Sequence, residues 1–573
     1  MDQNQPSETE KLTAMFDEHF EANLKLNPLQ ATFIGDPRYN DRMENFLSAD
    51  YRQRAGALER DYLQRAQAID ASKLEAQDQL SLKMFIQNRM DAIEAEKYPG
   101  HLIPINQFFN ITNFFAQLGS GSSAQPFRTV ADYDNWLKRV DGFVTIMDQA
   151  IDNMHDGIEA GVVQPRILME KVLPQLDAHV VETATDSLFY GPINNFPDDF
   201  SEQDKARFTE AYEQMISEKV VPAYTRMSAF LTDEYIPAAR DTVGMYALPG
   251  GDDWYAFNVR QTTTTDLTPE QIHQIGLDEV DRIHDEMRQV MSEVGFEGDL
   301  TDFFTYTKED PQFYYDEREQ LLQAYRDFRS TVDALTPKLF EVFPKSDYEV
   351  RAVEEFREQS SSAASYQRAS PDGSRPGIFY VNTYDLSARP SWSVESLFLH
   401  EAAPGHHFQI AIQQELEGLP NFRRFGGYTA YIEGWGLYAE SLGKELGVYT
   451  DPYQYFGALA AELWRAIRLV VDTGIHAKGW TRAQVLEYMY ANAPVAEARA
   501  VSEAERFMAI PSQALAYKIG QLKIREMRNR AEAQLGDQFD VRKFHTEVLK
   551  YGALPLNIFE QTIDQWIAQQ QAE

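Results

Sequence analysis

Helical periodicity runs through almost all of this 573-residue chain, and it leaves little room for any architecture but a mainly α one. In "KLTAMFDEHFEANLKLNP", Leu12, Met15, Phe16, Phe20 and Leu24 recur on one stripe, and Pro28 closes the segment. "ARFTEAYEQMISEKVVPAYTRMSAFL" repeats the pattern through Phe208, Tyr212, Met215, Met227 and Phe230, with a kink expected at Pro222. Thr268, Pro269 and Gln271 stand in the order of an N-cap, a first helical residue and a capping-box partner. Leu321, Leu322, Tyr325, Phe328, Val332 and Leu335 mark another long helix, and the chain from Leu459 onward is again mostly helical. Strand signals are confined to "WYAFNVRQTTTT" (254–265) and "GIFYVNTYDL" (377–386). The second follows "SSSAASYQRASPDGSRPG", which has the composition of a mobile flap. A chain of this length exceeds one simple core, so two helical lobes are expected, 1–250 and 251–573, interdigitating with one another.

Composition narrows the chemistry. The chain has no cysteine, which excludes disulfides, iron–sulfur clusters, thiolate zinc sites and cysteine nucleophiles. The 53 Lys and Arg against 89 Asp and Glu give a formal charge of −36, so nucleic acid is not an expected partner. No apolar run reaches the roughly 18–20 residues that cross a bilayer, so no transmembrane segment is expected. The start, "MDQNQPSETEKL", is polar and has no apolar signal core; a cytosolic start and an exported chain whose signal has been removed both fit it.

Two segments carry ligand chemistry. "FLHEAAPGHHFQ" holds His400, Glu401, His406 and His407, and "YIEGWGLYAE" places Glu433 and Glu440 two turns apart on one helix face. Hydrolytic zinc is commonly held by two histidines and a carboxylate, with one position left for water and a glutamate nearby to take a proton from it. His400, Glu401, one later histidine and Glu433 supply those groups, so one zinc ion is expected. Regular helix does not allow it. His407 would return to the face of His400 but two turns away, about 10 Å along the axis. Pro404 also clashes with the carbonyl of His400 in a helix. The stretch must therefore break at Pro404-Gly405 and loop Ala402-Ala403-Pro404 out, so that His406 or His407 comes back over His400. Glu440 and Asp472 are the candidates to orient the ligand imidazoles.

These segments, with "RLVVDTGIHAKGW", "FMAIPSQALAYKIGQLK", "NPLQATFIGDPRYNDR" and "LPGGDDWYAFNVRQTTTTDLTPEQIHQIG", resemble the bacterial domain-of-unknown-function family 885 over nearly the whole chain. The resemblance implies a metallopeptidase, in many members an envelope lipoprotein, and so favours a periplasmic or envelope-anchored location over a cytoplasmic one. The family is similar, at a distance, to the helical gluzincin peptidases such as angiotensin-converting enzyme and carboxypeptidase Taq. That similarity implies a large two-lobed helical fold with a small β-sheet beside the active-site helix. Gly405-His406 corresponds to the Gly-His pair of the gluzincin motif and Glu433 to its third ligand. His407-Phe408-Gln409 corresponds to His-Ile-Gln of the converting enzyme nearly as well, so both histidines stay open as the ligand. Dipeptidyl peptidase III has one extra residue in its motif; this chain has two. The likeness also implies that "GIFYVN" is an edge strand that binds the substrate backbone.

Around the metal, Tyr517 and His476 are candidates to stabilise the oxyanion or donate to substrate. Arg468, Arg506 and Lys518 are candidates to bind substrate; the two arginines could hold a peptide carboxylate or instead pair with Asp472, Glu503 or Glu505 within the helical core. The expected function is zinc-dependent hydrolysis of short peptides, with Glu401 as the base. A metal-dependent amidase or esterase acting on a non-peptide substrate, and a non-catalytic peptide-binding envelope protein, are the alternatives. The oligomeric state is not legible from these residues.

Overall fold

In the computed structural model, which describes residues 6–355, 358, 361–370 and 375–572, the chain divides into two compact units, Met1–Gly251 and Asp252–Glu573. In the first, the predicted stripe Leu12, Met15, Phe16, Phe20 and Leu24 is buried along helix α1 (Glu8–Leu26). Ser7 and Glu10 close a capping box at its start. The main core of this unit forms around α2 (Val130–Ala160), where Phe115 stacks on Phe143 at 3.9 Å and on Trp136 at 4.7 Å. The segment around Pro222 stays helical, and the chain absorbs the missing donor in a π turn over Ile216–Val220.

The second unit is also helical, with one small sheet. Residues 254–263, expected as strand, form helix α3 (Gly251–Thr263) instead. Trp254, Tyr255, Phe257 and Val259 are all buried there, so packing on several sides outweighs their β propensity. Helix α4 (Pro269–Glu293) begins with the predicted cap, Thr268 and Gln271 bonding reciprocally. The sheet has strands β1 (Tyr348–Ala352), β2 (Ala364–Gln367) and β3 (Gly377–Val381) in the order β1-β3-β2. β3 runs parallel to β1 and antiparallel to β2. Two expectations change here. The predicted strand 377–381 is the central one, with backbone groups taken on both sides, so it cannot receive a substrate strand. Part of the predicted flap is the edge strand β2, which packs against the histidine-bearing helix. Residues 360 and 371–374 of that flap lie outside the described residues.

Six further helices build the rest of the site's surroundings. They are α5 (Val394–Glu401), α6 (His406–Glu415), α7 (Thr429–Ser441), α8 (Pro452–His476) and α9 (Glu497–Ala509), followed by α10 (Ala516–Leu535). α8 packs along α4, and α7 along α10. Phe398 and Leu399, fully buried, anchor α5; burial of this kind contributes about 1.5–3 kcal/mol per side chain. No helix among the described residues is long and apolar enough to cross a membrane.

Candidate metal centre

The helix breaks where Pro404 and Gly405 require. α5 ends at Glu401, and α6 begins at His406. The amide of His407 donates to the carbonyl of Ala402 at 3.1 Å, closing the loop of intervening residues. Gly405 is needed for space: a Cβ there would stand 1.9 Å from the His400 carbonyl oxygen. Trp435 of α7 fastens the break, its Nε1 donating to the carbonyls of Pro404 at 2.9 Å and Gly405 at 3.2 Å.

The result is that the His406 ring sits edge-on to the His400 ring, centroids 4.6 Å apart. Glu433 Oε2 lies 3.5 Å from His400 Nε2 and 3.6 Å from His406 Nε2. One ligand atom from each of the three residues falls within 4.8 Å of the others. Tetrahedral zinc with bonds of about 2.0–2.1 Å sets its ligand atoms roughly 3.3–3.4 Å apart, so the group fits one such ion. His400 and His406 are buried; Glu433 is half-buried.

The surroundings orient His400. Its Nδ1 donates to Glu440 Oε1 at 2.7 Å, and its ring lies on the backbone of Gly436, where a Cβ would meet it at 2.7 Å. Burial pulls the His400 imidazole down, but the carboxylates of Glu433 and Glu440 outweigh it and push it up to about 10. Burial raises the Glu433 carboxyl, yet the two imidazoles hold it well below the usual range. Without a metal, then, protons compete strongly for this group. Glu401, at the end of α5, is half-buried and makes no hydrogen bond or ion pair with any described residue. A carboxylate so placed is available to water or substrate.

His407 points elsewhere. It is buried against Tyr348, and its Nδ1 meets the hydroxyl of Tyr366 on β2 at 2.9 Å. Burial pushes its imidazole down to about 4, which leaves it neutral. Of the two open histidines, His406 is therefore the one that faces His400 and Glu433.

Several sequence candidates do not join the group. Asp472 does not orient a ligand: it is fully buried and accepts from the Tyr255 hydroxyl at 2.5 Å and the Ser512 amide at 3.1 Å. His476 is fully buried too, and its Nε2 donates to the Phe507 carbonyl at 2.9 Å. Lys518 is fully buried among Glu279, Glu462 and Gln521, at 2.7, 2.5 and 2.7 Å, and serves as their counter-charge rather than a substrate contact. Arg506 is taken by Glu503 at 2.7 and 3.0 Å and by Gln513, and Arg468 donates to Glu503 at 2.9 Å. The pairing with Glu503 within the core is thus the one these arginines form. Tyr517 is half-buried, with the guanidinium of Arg468 4.9 Å and that of Arg465 5.8 Å from its ring centre. Trp435, Gly436, Tyr366 and Arg465 escaped the sequence reading. Only the repeated glycines of "EGWG" hinted at close packing on α7.

The family described as "Bacterial protein of unknown function (DUF885)" matches residues 28–563, and the chain belongs to it. A solved structure, named as "the putative lipoprotein from Colwellia psychrerythraea", is 28% identical, with a TM-score of 0.87 over 98% of this chain and 100% of that one. A second, "a putative lipoprotein of unknown function from Shewanella oneidensis", is 18% identical, with a TM-score of 0.80 over 97% and 99%. It shares the fold. No curated protein matches the chain.

Proposed function

We propose that this member of the family is a zinc-dependent hydrolase that cleaves short peptides. The observation that carries the reading is the convergence of His400, His406 and Glu433 around one point, with the unpaired Glu401 beside them. Two imidazoles and a carboxylate leave one position open, the donor set of hydrolytic rather than structural zinc. Zinc held there would polarise the scissile carbonyl and lower the pKa of water.

The chain's own residues do the rest. Glu401 accepts a proton from the attacking water and delivers it to the departing amine. Glu440 keeps the His400 ring oriented with Nε2 toward Glu433. The Tyr517 hydroxyl donates to the developing oxyanion. The partner is a short peptide. An envelope location belongs to the same reading, supported by the lipoprotein described from Colwellia psychrerythraea.

Glu401→Gln tests the proposal. The amide preserves shape but cannot accept a proton at neutral pH, so zinc content should stay at about one per chain while turnover of a mixed peptide library falls roughly 10²–10⁴-fold or more. Cleavage that persists unchanged would remove Glu401 as the base; a wild-type chain without zinc affinity would remove the reading.

A further inference from the structure

A cavity of about 250 Å³ begins one helical turn from Glu433. It is bounded by Gln261 and Thr262 at the end of α3, by Thr264, by Tyr428 and Thr429 at the start of α7, and by Gln513 in the turn before α10. Thr429 and Glu433 are four residues apart on α7, so they share a face and stand about 6 Å apart along the axis. α10 presses on α7 at the same level: a Cβ on Gly520 would stand 1.8 Å from the Ala430 carbonyl oxygen and 2.7 Å from Gly434 Cα. The cavity is thus placed beside the carboxylate that faces His400 and His406.

Its rim is held in unfavourable backbone. Three residues other than glycine have left-handed backbone among the described residues. Thr264 (φ 51°) lines the cavity, and Ser512 (φ 71°) directly precedes Gln513. Such backbone persists only where neighbours over-determine it, and it gathers at ligand sites. The Ser512 amide donates to Asp472 at 3.1 Å, and its hydroxyl donates to the Asn258 carbonyl at 3.0 Å and meets the Thr262 hydroxyl at 2.6 Å. Thr264 accepts from the Leu556 amide through its hydroxyl at 2.7 Å and from the Asn557 amide through its carbonyl at 3.1 Å. Three lining side chains, by contrast, keep free groups. The Gln261 amide and the Thr429 hydroxyl have no partner among the described residues. Gln513 accepts from Arg506 through Oε1 at 2.5 Å, which leaves its Nε2 without one there. No carboxylate, ammonium or guanidinium lines the cavity, in a chain whose residues are 25% charged.

We propose that this cavity selects the substrate by taking a neutral amide side chain, that of glutamine or asparagine, close to the bond that is cut. The word substrate rests on the peptidase reading; the amide site does not. Gln513 Nε2 donates to the carbonyl of the bound amide, and the Gln261 carbonyl and the Thr429 hydroxyl accept from its NH2 group. A charged side chain would shed its water and meet no counter-charge there. An apolar one would leave all three polar groups unpaired. At 250 Å³ the cavity falls below the roughly 300–1,000 Å³ of sites for drug-sized ligands, so it holds one side chain. The axial step of about 6 Å to Glu433 equals about two extended residues, which sets that side chain within about two residues of the scissile bond.

The test is fluorescence anisotropy on the full, zinc-loaded chain carrying Glu401→Gln, with three pools of labelled alanine-based pentapeptides. The pools carry one glutamine, one leucine or one lysine, placed in turn at each position. The glutamine pool should bind about 10-fold more tightly than the other two. Gln261→Ala, added to that chain, should remove most of the preference. Gln261→Glu should reverse it in favour of the lysine pool, a gain that a merely structural role would not produce. Gln261 makes no bond within the fold, so the unfolding midpoint should stay unchanged in both variants. Equal binding of the three pools, no binding of any, or an order that Gln261→Glu leaves as it was would overturn the proposal. Equal binding joined to cleavage of all pools by the wild-type chain would overturn it while leaving the peptidase reading in place. A glutamine preference in a protein whose wild-type form cleaves none of the pools would overturn the peptidase reading alone.

Discussion

His400 and Glu440 are joined by a 2.7 Å hydrogen bond from Nδ1 to Oε1, while Glu433, two turns earlier on the same helix, faces Nε2 of that ring at 3.5 Å. One helix thus supplies both a ligand-type carboxylate and the group that aims the imidazole. Glu440→Ala should weaken zinc affinity by roughly 10–100-fold, measured by chelator competition, and Glu440→Gln, which still accepts from Nδ1–H, should weaken it less. Equal affinity in all three proteins would deny Glu440 its orienting role.

The two adjacent histidines should separate cleanly. His400→Ala, His406→Ala and Glu433→Ala should each lose the metal in elemental analysis after dialysis. His407→Ala should keep it, because its ring faces Tyr366 and Tyr348. Its loss should instead lower stability, by roughly 1–3 kcal/mol, since the Tyr366 hydroxyl loses its partner. A metal-free His407→Ala protein would contradict this assignment.

Gly405→Ala probes the break itself. A Cβ would press into the carbonyl oxygens of His400 and Leu399, at 1.9 and 2.3 Å. The backbone must shift, at about 1–3 kcal/mol, and His406 moves with it. Lower thermal stability together with reduced zinc content is the expected result; full zinc retention would show that the loop tolerates a wider path.

Asp472 should leave a signature in stability against pH. Burial raises its carboxyl from 3.8 to about 7, in spite of the bonds from Tyr255 and Ser512 that lower it. The folded state therefore favours the protonated form. Its contribution is fully present below about pH 4 and is lost as pH rises to about 7. Denaturation midpoints of the wild type relative to Asp472→Asn should fall across that window and level off above it. A flat difference would mean that the carboxyl titrates normally.

Much of the fold was legible because local rules and burial agreed. The stripe on α1, the cap at Thr268, the pair Glu433 and Glu440 on one face, and the break at Pro404-Gly405 all follow from helix geometry and backbone sterics, which act over a few residues. The sequence alone also determined that a metal group here, if built, needed a looped-out segment. Only the tertiary structure decided the rest. Residues 254–263 became helix because burial on several sides overrode a strand-like composition. The strand 377–381 became central because a segment that reads as flap supplied the edge. His406 rather than His407 faces Glu433 because Trp435, from a later helix, fixes the path of the loop. Lys518, Arg506, His476 and Asp472, all plausible as site residues by type, were claimed by partners in the helical core. Their chemistry is written in the sequence, but which groups are already satisfied depends on neighbours hundreds of residues away in some cases, and no local pattern records that.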